Sequence, residues 1–350
     1  MTHAVLDYPF SEPPPPATLQ QVAPGVHWLR MPLPVALDHI NLWLIEDELD
    51  GRQGWTIVDT GIGNDATRAL WDEVFAGYFD NHPLLRVICT HLHPDHAGLA
   101  GWLCERWKVP LWMSAAEYLT AVIATRLGAM NDGDSLAAHF AAHGLPPADH
   151  ATIRERGGFY GRMTTPLPMQ FRRMVAGEVI RLGGHDWRVI VGVGHSPEHV
   201  SLYCAGLDVL IAGDMLLPRI SANVTVTPHE PEANPLADYL AGLRNFLSLP
   251  AGVRVLPSHG LPFGGAHGRV NDLIEHHAER LDETRAACAG QPGGISATEL
   301  VPILFRRKLD MHQMTFALGE ALAHLHWLWH AGEVERVQTD GIWRFRIAAG

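Results

Sequence analysis

The residues best suited to chemistry form one short run, His91-Leu92-His93-Pro94-Asp95-His96. Neutral imidazoles and carboxylates are the ligands that zinc and related divalent cations prefer. His91 and His93 lie two apart, so in an extended loop both can face one point. Asp95 and His96 are adjacent and can serve a second ion beside the first. Two divalent ions about 3.5–4 Å apart can hold a bridging hydroxide at neutral pH and steady the anion that develops on a carbonyl or phosphoryl oxygen. Such chemistry needs no serine or cysteine nucleophile, and no Gly-x-Ser-x-Gly turn surrounds Ser114, Ser196 or Ser258. Cys89, Cys104, Cys204 and Cys288 form no CxxC pair and read as buried reduced thiols.

Placement matters more than the string. The run follows LLRVICT (84–90), which reads as a buried strand. Asp59 ends GWTIV, His195 follows DWRVIVGVG, Asp214 ends DVLIAGD, and His259 follows VRVLP. Metal-capable side chains therefore sit at the C-terminal ends of five predicted strands, where loops on a rigid scaffold build sites. Between the strands, DATRALWDEVFAGYF (65–79) and AGLAGWLCERW (97–107) have helical spacing. Residues 1–20 are polar, contain Pro13 to Pro16, and read as an extended arm. Residues 21–268 carry the strand–helix alternation, interrupted at about 115–175 by a mostly helical insertion suited to a lid or a subunit contact. From Arg269 to 350 the character changes to three helices and a terminal hairpin, a winged-helix pattern. Ser296 and Glu299 are spaced as a capping box, and Asp340-Gly341 between VERVQT and IWRFRI signals the hairpin turn.

The bulk properties bound the function. The chain has 350 residues, 47% apolar and 18% charged, enough for a large core and incompatible with global disorder. No apolar run approaches the roughly 18 residues of a membrane helix. The N-terminus shows neither a basic nor an apolar leader segment, so a cytoplasmic protein is expected. A net charge of −12 disfavours sequence-independent nucleic-acid binding. Histidines number 22, which invites a search for ligands. Residues 151–188 run against the acidic trend, with seven arginines (among them Arg154, Arg156, Arg172 and Arg173) against Glu155, Glu178 and Asp186. Arg172 and Arg173 with Tyr160 are the candidates for holding an anionic acyl substrate. Glu198 is expected to face solvent, because Glu is rarely buried unpaired.

Taken in order, Asp59 in VDTG, HLHPDH at 91–96, His195 in GHSPEH, Asp214 in AGD and His259 in PSHG resemble the metallo-β-lactamase-fold hydrolases over about residues 22–265. The resemblance implies a four-layer αββα sandwich with metals in a cleft at one edge. It assigns one ion to His91, His93 and His195 and a second to Asp95, His96 and His259, with Asp214 bridging. Asp59 matches a carboxylate that orients ligands from behind, and His199 a residue behind the ligands or facing substrate. Asp95 would orient, or accept a proton from, the metal-held hydroxide. The implied cofactors are two divalent cations, zinc before iron or manganese. Asp214 argues against a true β-lactamase, a branch that generally lacks the bridging carboxylate. Leu217 stands where acyl-homoserine lactonases carry a tyrosine. The full ligand set is that of the glyoxalase II group, without its glutathione-binding C-terminal part. The expectation is hydrolysis of a small ester or thioester, with a small acyl molecule as partner, no membrane, and a homodimer as the assembly. The tail resembles the winged-helix domain of a bacterial and mitochondrial branch with an endoribonuclease member, which keeps RNA processing as the alternative beside a mononuclear iron dioxygenase. A packing role for the tail is preferred, since Arg306-Arg307-Lys308 is its one compact basic run.

Overall fold

The computed structural model describes residues 5–35, 37–80, 82–126, 132–155 and 157–348. Arg156 of the basic stretch, residues 127–130 of the expected insertion helix, and residues 1–4 of the arm lie outside them. The chain divides into two compact units: residues 1–128, 160–222 and 242–270 form the first, and 129–159, 223–241 and 271–350 the second.

The first unit holds two sheets. One runs β1 (Gln20–Ala23), β2 (Val26–Pro32), β3 (His39–Leu49), β4 (Arg52–Val58), β5 (Leu84–Ile88), β6 (Leu111–Met113), β7 (Phe171–Arg173), each strand beside the next. It is antiparallel as far as β4 and parallel from β4 to β7. The second contains β8 (Val179–Leu182), β9 (His185–Gly192), β10 (His199–Cys204), β11 (Val209–Gly213) and β12 (Arg254–Pro257), in the spatial order β12-β11-β10-β9-β8. Parallel neighbours need crossovers, supplied by α1 (Asp65–Tyr78) between β4 and β5, and by α2 (Pro94–Ala97) and α3 (Ala100–Trp107) between β5 and β6. Asn64 starts α1, its side chain accepting from the Thr67 N–H at 2.8 Å. Strand β5 is buried at every residue, as a parallel strand covered on both faces should be. Trp28 and Trp43 of one sheet and Trp187, Val200, Leu202 and Ile211 of the other share one core. This is the two-sheet centre of the expected αββα sandwich.

Helix α4 (Ala115–Arg126) belongs to the first unit; α5 (Gly133–Ala142) and α6 (His150–Glu155) belong to the second. After α7 (Phe159–Arg162) and α8 (Pro235–Asn245), the long α9 (Ala266–Ala289) leads into α10 (Ala297–Leu304), α11 (Met311–His330), β13 (Val334–Thr339) and β14 (Ile342–Ile347). The Ser296–Glu299 capping box is formed. Asp340 and Gly341 both have positive φ, 52° and 80°, the conformation that a two-residue hairpin turn demands. All four cysteines are buried and free. No helix among the described residues is long and apolar enough to cross a membrane.

Topology explains why the strand ends converge. Strands β4 and β5 are parallel, so Asp59 and His91 leave the first sheet at the same end. Strands β11 and β12 are parallel, so Asp214 and His259 share an end of the second. Strand β9 is antiparallel to β10, and β10 to β11, so His195 after β9 emerges at that end too. His199 opens β10 and pairs with Gly192 at the close of β9, which brings it alongside.

The two sheets are also tied through one buried carboxylate, ion-paired within the first sheet and hydrogen-bonded to the second. Asp47 of β3 accepts from Arg86 Nη2 of β5 at 2.6 Å and from Thr56 Oγ1 at 2.5 Å, while its other oxygen takes the Gly183 N–H between β8 and β9 at 2.8 Å. Replacing Asp47 by Ala strands the Arg86 guanidinium and is expected to cost about 3–5 kcal/mol in a denaturant titration. An added Arg86→Met substitution should recover much of that loss.

Candidate metal centre

His96 illustrates how the centre is assembled. Its Nδ1 lies 2.8 Å from Asp59 Oδ2, so the imidazole N–H donates backwards and Nε2 keeps its lone pair for the front. Asp59 follows β4 in the left-handed conformation (φ 64°), which Asp tolerates better than most residues. Its other oxygen accepts the Thr90 N–H at 2.8 Å. The Thr90 hydroxyl donates to Asp59 Oδ2 at 2.8 Å and accepts from His91 Nδ1 at 3.0 Å, fixing the same tautomer there. His259 repeats the device: its Nδ1 donates to the His39 carbonyl at 2.7 Å.

The forward-facing atoms gather around Asp214. Asp214 Oδ2 lies 3.3 Å from His195 Nε2, and Oδ1 lies 3.4 Å from both His96 Nε2 and His259 Nε2. Asp95 Oδ2 lies 3.5 Å from His96 Nε2 and 3.4 Å from His259 Nε2. His91 Nε2 is 2.9 Å from His93 Nδ1 and 3.3 Å from His195 Nε2. The ligand atoms of His91, His93, His195 and Asp214 all fall within 4.8 Å of one another, as do those of Asp95, His96 and His259. Two atoms bound tetrahedrally at zinc's usual nitrogen distance sit about 3.3–3.4 Å apart. His96 Nε2, His259 Nε2 and Asp214 Oδ1 are buried without a hydrogen-bond partner among the described residues. Unsatisfied atoms at that spacing fit cations, not a hydrogen-bonded network.

Electrostatics agree. Burial and the surrounding imidazoles hold His91 and His199 well below the usual histidine range and push His93 down to about 3. Burial also works against His96 and His259, but the carboxylates prevail: His96 stands well above the usual range and His259 is pushed up to about 10. Burial would raise Asp95, yet His96 and His259 bring it down to about 2. Without metal, two imidazolium protons thus neutralise two carboxylates, and a divalent cation would take their place.

The remaining expected residues lie as follows. His199 is fully buried, and its Nε2 accepts the Asp214 N–H at 3.1 Å, so it holds the backbone of a ligand. Tyr160 is buried and donates its hydroxyl to the Leu92 carbonyl at 2.6 Å, bracing the histidine loop. Arg172 pairs with Glu178 and stacks on Trp112, 4.2 Å from the ring centre. Arg173 is exposed. Glu198 does not simply face solvent: it is half-buried and accepts the Ala116 N–H at the start of α4, at 3.1 Å.

Sequence reasoning missed Glu117. This wholly buried carboxylate of α4 accepts the Leu92 N–H at 2.8 Å with one oxygen. The other takes the Ser196 hydroxyl at 2.5 Å and the Glu198 N–H at 2.8 Å. One side chain therefore clamps the HLHPDH loop to the GHSPEH loop. The available signal was an acidic residue in the first turn of the helix after a short buried strand. Substituting Glu117 by Gln turns one acceptor into a donor facing donors. Metal affinity measured by competition with a chelator should fall about 10–100-fold. Stability should drop by about 1–3 kcal/mol.

Comparison with known proteins places this geometry in context. Residues 35–259 match the family model for the metallo-beta-lactamase superfamily, and residues 281–348 match the model for a metallo-beta-lactamase-like C-terminal domain. The crystal structure of a beta-lactamase domain protein from Burkholderia ambifaria superposes with a TM-score of 0.91 at 49% identity, covering 98% of each chain. A metallo-beta-lactamase family protein from Thermus thermophilus superposes with a TM-score of 0.76 at 28% identity, over 94% of this chain and 100% of that one. A probable metallo-hydrolase of Bacillus subtilis is 23% identical over 85% of this chain and 90% of its own length. With 225 of the 350 residues matched by the family model and the His/Asp clusters in place, the chain belongs to the metallo-beta-lactamase superfamily.

Proposed function

We propose that the protein is a dinuclear metal-dependent hydrolase that cleaves a small ester or thioester. The observation that carries this reading is the Asp214 carboxylate, whose two oxygens address different histidine sets, Oδ2 towards His195 and Oδ1 towards His96 and His259. His91, His93 and His195 would hold one cation and Asp95, His96 and His259 the other, with Asp214 between them. When bound, such a pair makes water a nucleophile at neutral pH and polarises the acyl oxygen under attack.

The chain's own groups have separable tasks. Asp59 and Thr90 orient His91 and His96, and the His39 carbonyl orients His259. Asp95 is the more accessible carboxylate, its side chain 22% exposed against 10% for Asp214, so it suits accepting a proton from the attacking water. Leu217 is buried and offers no hydroxyl, which supports an open-chain ester or thioester over a lactone. Kinship with a probable metallo-hydrolase supports the reaction class.

Crystals grown with zinc should show two anomalous peaks flanking Asp214, and a panel of esters, thioesters and lactones should reveal acyl hydrolysis. The Asp214→Ala variant should lose metal there and more than about 100-fold in kcat/KM. Full turnover in that variant would defeat the reading, and a single iron at the centre would redirect it to oxygen chemistry.

A further inference from the structure

Within the second unit, away from the strand-end ligands in the chain, a second group of metal-capable side chains meets between two helices. His277 belongs to α9; Glu320 and His324 lie four apart on α11 and so share one face of it. Their potential ligand atoms all fall within 4.8 Å of one another. His324 Nδ1 donates to the Glu320 carbonyl at 2.8 Å, the i−4 acceptor, which leaves the Nε2 lone pair pointing out of the helix. That Nε2 lies 3.3 Å from His277 Nδ1, about the edge of a tetrahedral zinc site. Both histidines are fully buried, and His277 Nε2 has no hydrogen-bond partner among the described residues.

One imidazole can donate to the other across this contact, but that hydrogen bond leaves His277 Nε2 and the Glu320 carboxylate unanswered among the described residues. No ion pair reaches the Glu320 carboxylate among the described residues, and burial pushes its pKa up to about 7 despite Arg280. Arg280 is itself engaged, donating to Glu283 at 2.9 Å and to the Leu304 carbonyl at 3.3 Å. Tyr239 packs edge-on against His277 with ring centres 5.8 Å apart and supplies no charge. Two buried imidazoles beside a half-buried carboxyl that no ion pair reaches among the described residues form an expensive arrangement between two packed helices. We infer that His277, Glu320 and His324 form a separate binding site for a divalent transition-metal ion, zinc by preference, that clamps α9 to α11. Two imidazoles and one carboxylate are a ligand set that zinc accepts, and ligands from two facing helices are a common way to pin helical units. This site is independent of the ester-hydrolase reading, because none of its residues is a ligand at the Asp214 centre.

The test uses the full-length chain and zinc alone. Crystals grown with zinc chloride are measured above and below the zinc absorption edge. An additional anomalous peak bonded to His277, Glu320 and His324 is expected, distinct from any peak beside Asp214. In parallel, the wild type and a His277→Gln/Glu320→Gln variant are dialysed against buffered zinc and their metal content determined. The variant should hold one zinc per chain fewer, with its ester hydrolysis rate within about twofold of wild type. Scattering confined to the Asp214 centre, or equal zinc content in the two chains, overturns the inference. Because the diffraction arm needs only the wild type, a variant that fails to fold leaves the question decidable.

Discussion

A buried carboxylate crowded by imidazole nitrogens at metal-ligand spacing is the constraint on which the site turns. Asp214, His96 and His259 each bury an atom that no hydrogen bond satisfies among the described residues. Taking such atoms out of water costs several kcal/mol in total unless a charge answers them. The fold tolerates this because the atoms converge to within a few tenths of an ångström of metal-ligand spacing, so a cation settles several at once. Everything behind the ligands serves that convergence. Thr90, Asp59 and the His39 carbonyl hold imidazole N–H groups from the rear, which leaves the lone pairs in front.

The scaffold delivers those side chains through strand direction. Two short parallel runs, one in each sheet, open towards the same edge, and the antiparallel neighbours add His39 and His199 from strands that begin there. Loops at that edge would be free to wander if only their ends were held. Glu117 and Tyr160 prevent this by gripping the backbone of Leu92 from two directions. Precision at the ligands is therefore set by side chains that touch no ligand atom. The ion pair of Asp47 and Arg86 does comparable service for the sheets, joining β3, β5 and the β8–β9 turn.

Residues 129–159 illustrate how an insertion can change allegiance. Read linearly, 115–175 is one interruption of the strand–helix alternation. In three dimensions α4 stays with the sandwich, where its Glu117 is used, whereas α5 and α6 join the compact unit formed with the C-terminal helices. Within that unit Ser296 meets the glycine turn after α5, where any side chain at Gly144 would collide with its hydroxyl. The basic character of 151–188 is likewise spent locally in part: Arg154 pairs with Asp134, Arg172 with Glu178 and Arg181 with Asp186.

By itself, the sequence determined what depends on near neighbours and on ordered spacing. Apolar runs marked the strands, Ser296 with Glu299 marked a helix start, Asp340-Gly341 marked a hairpin, and the HLHPDH string with one earlier and three later strand ends marked the centre. These are legible because a cap, a turn or a run of ligands is encoded within a few residues. Tertiary structure alone decided which atoms face forward, since a histidine's tautomer follows from an acceptor up to 220 residues away. It also decided that Glu117 clamps two loops, that Arg172 is already paired, that Glu198 meets a helix start, and that His277 faces Glu320 and His324. Each of these depends on a partner brought close by packing, and packing distance bears no fixed relation to separation along the chain.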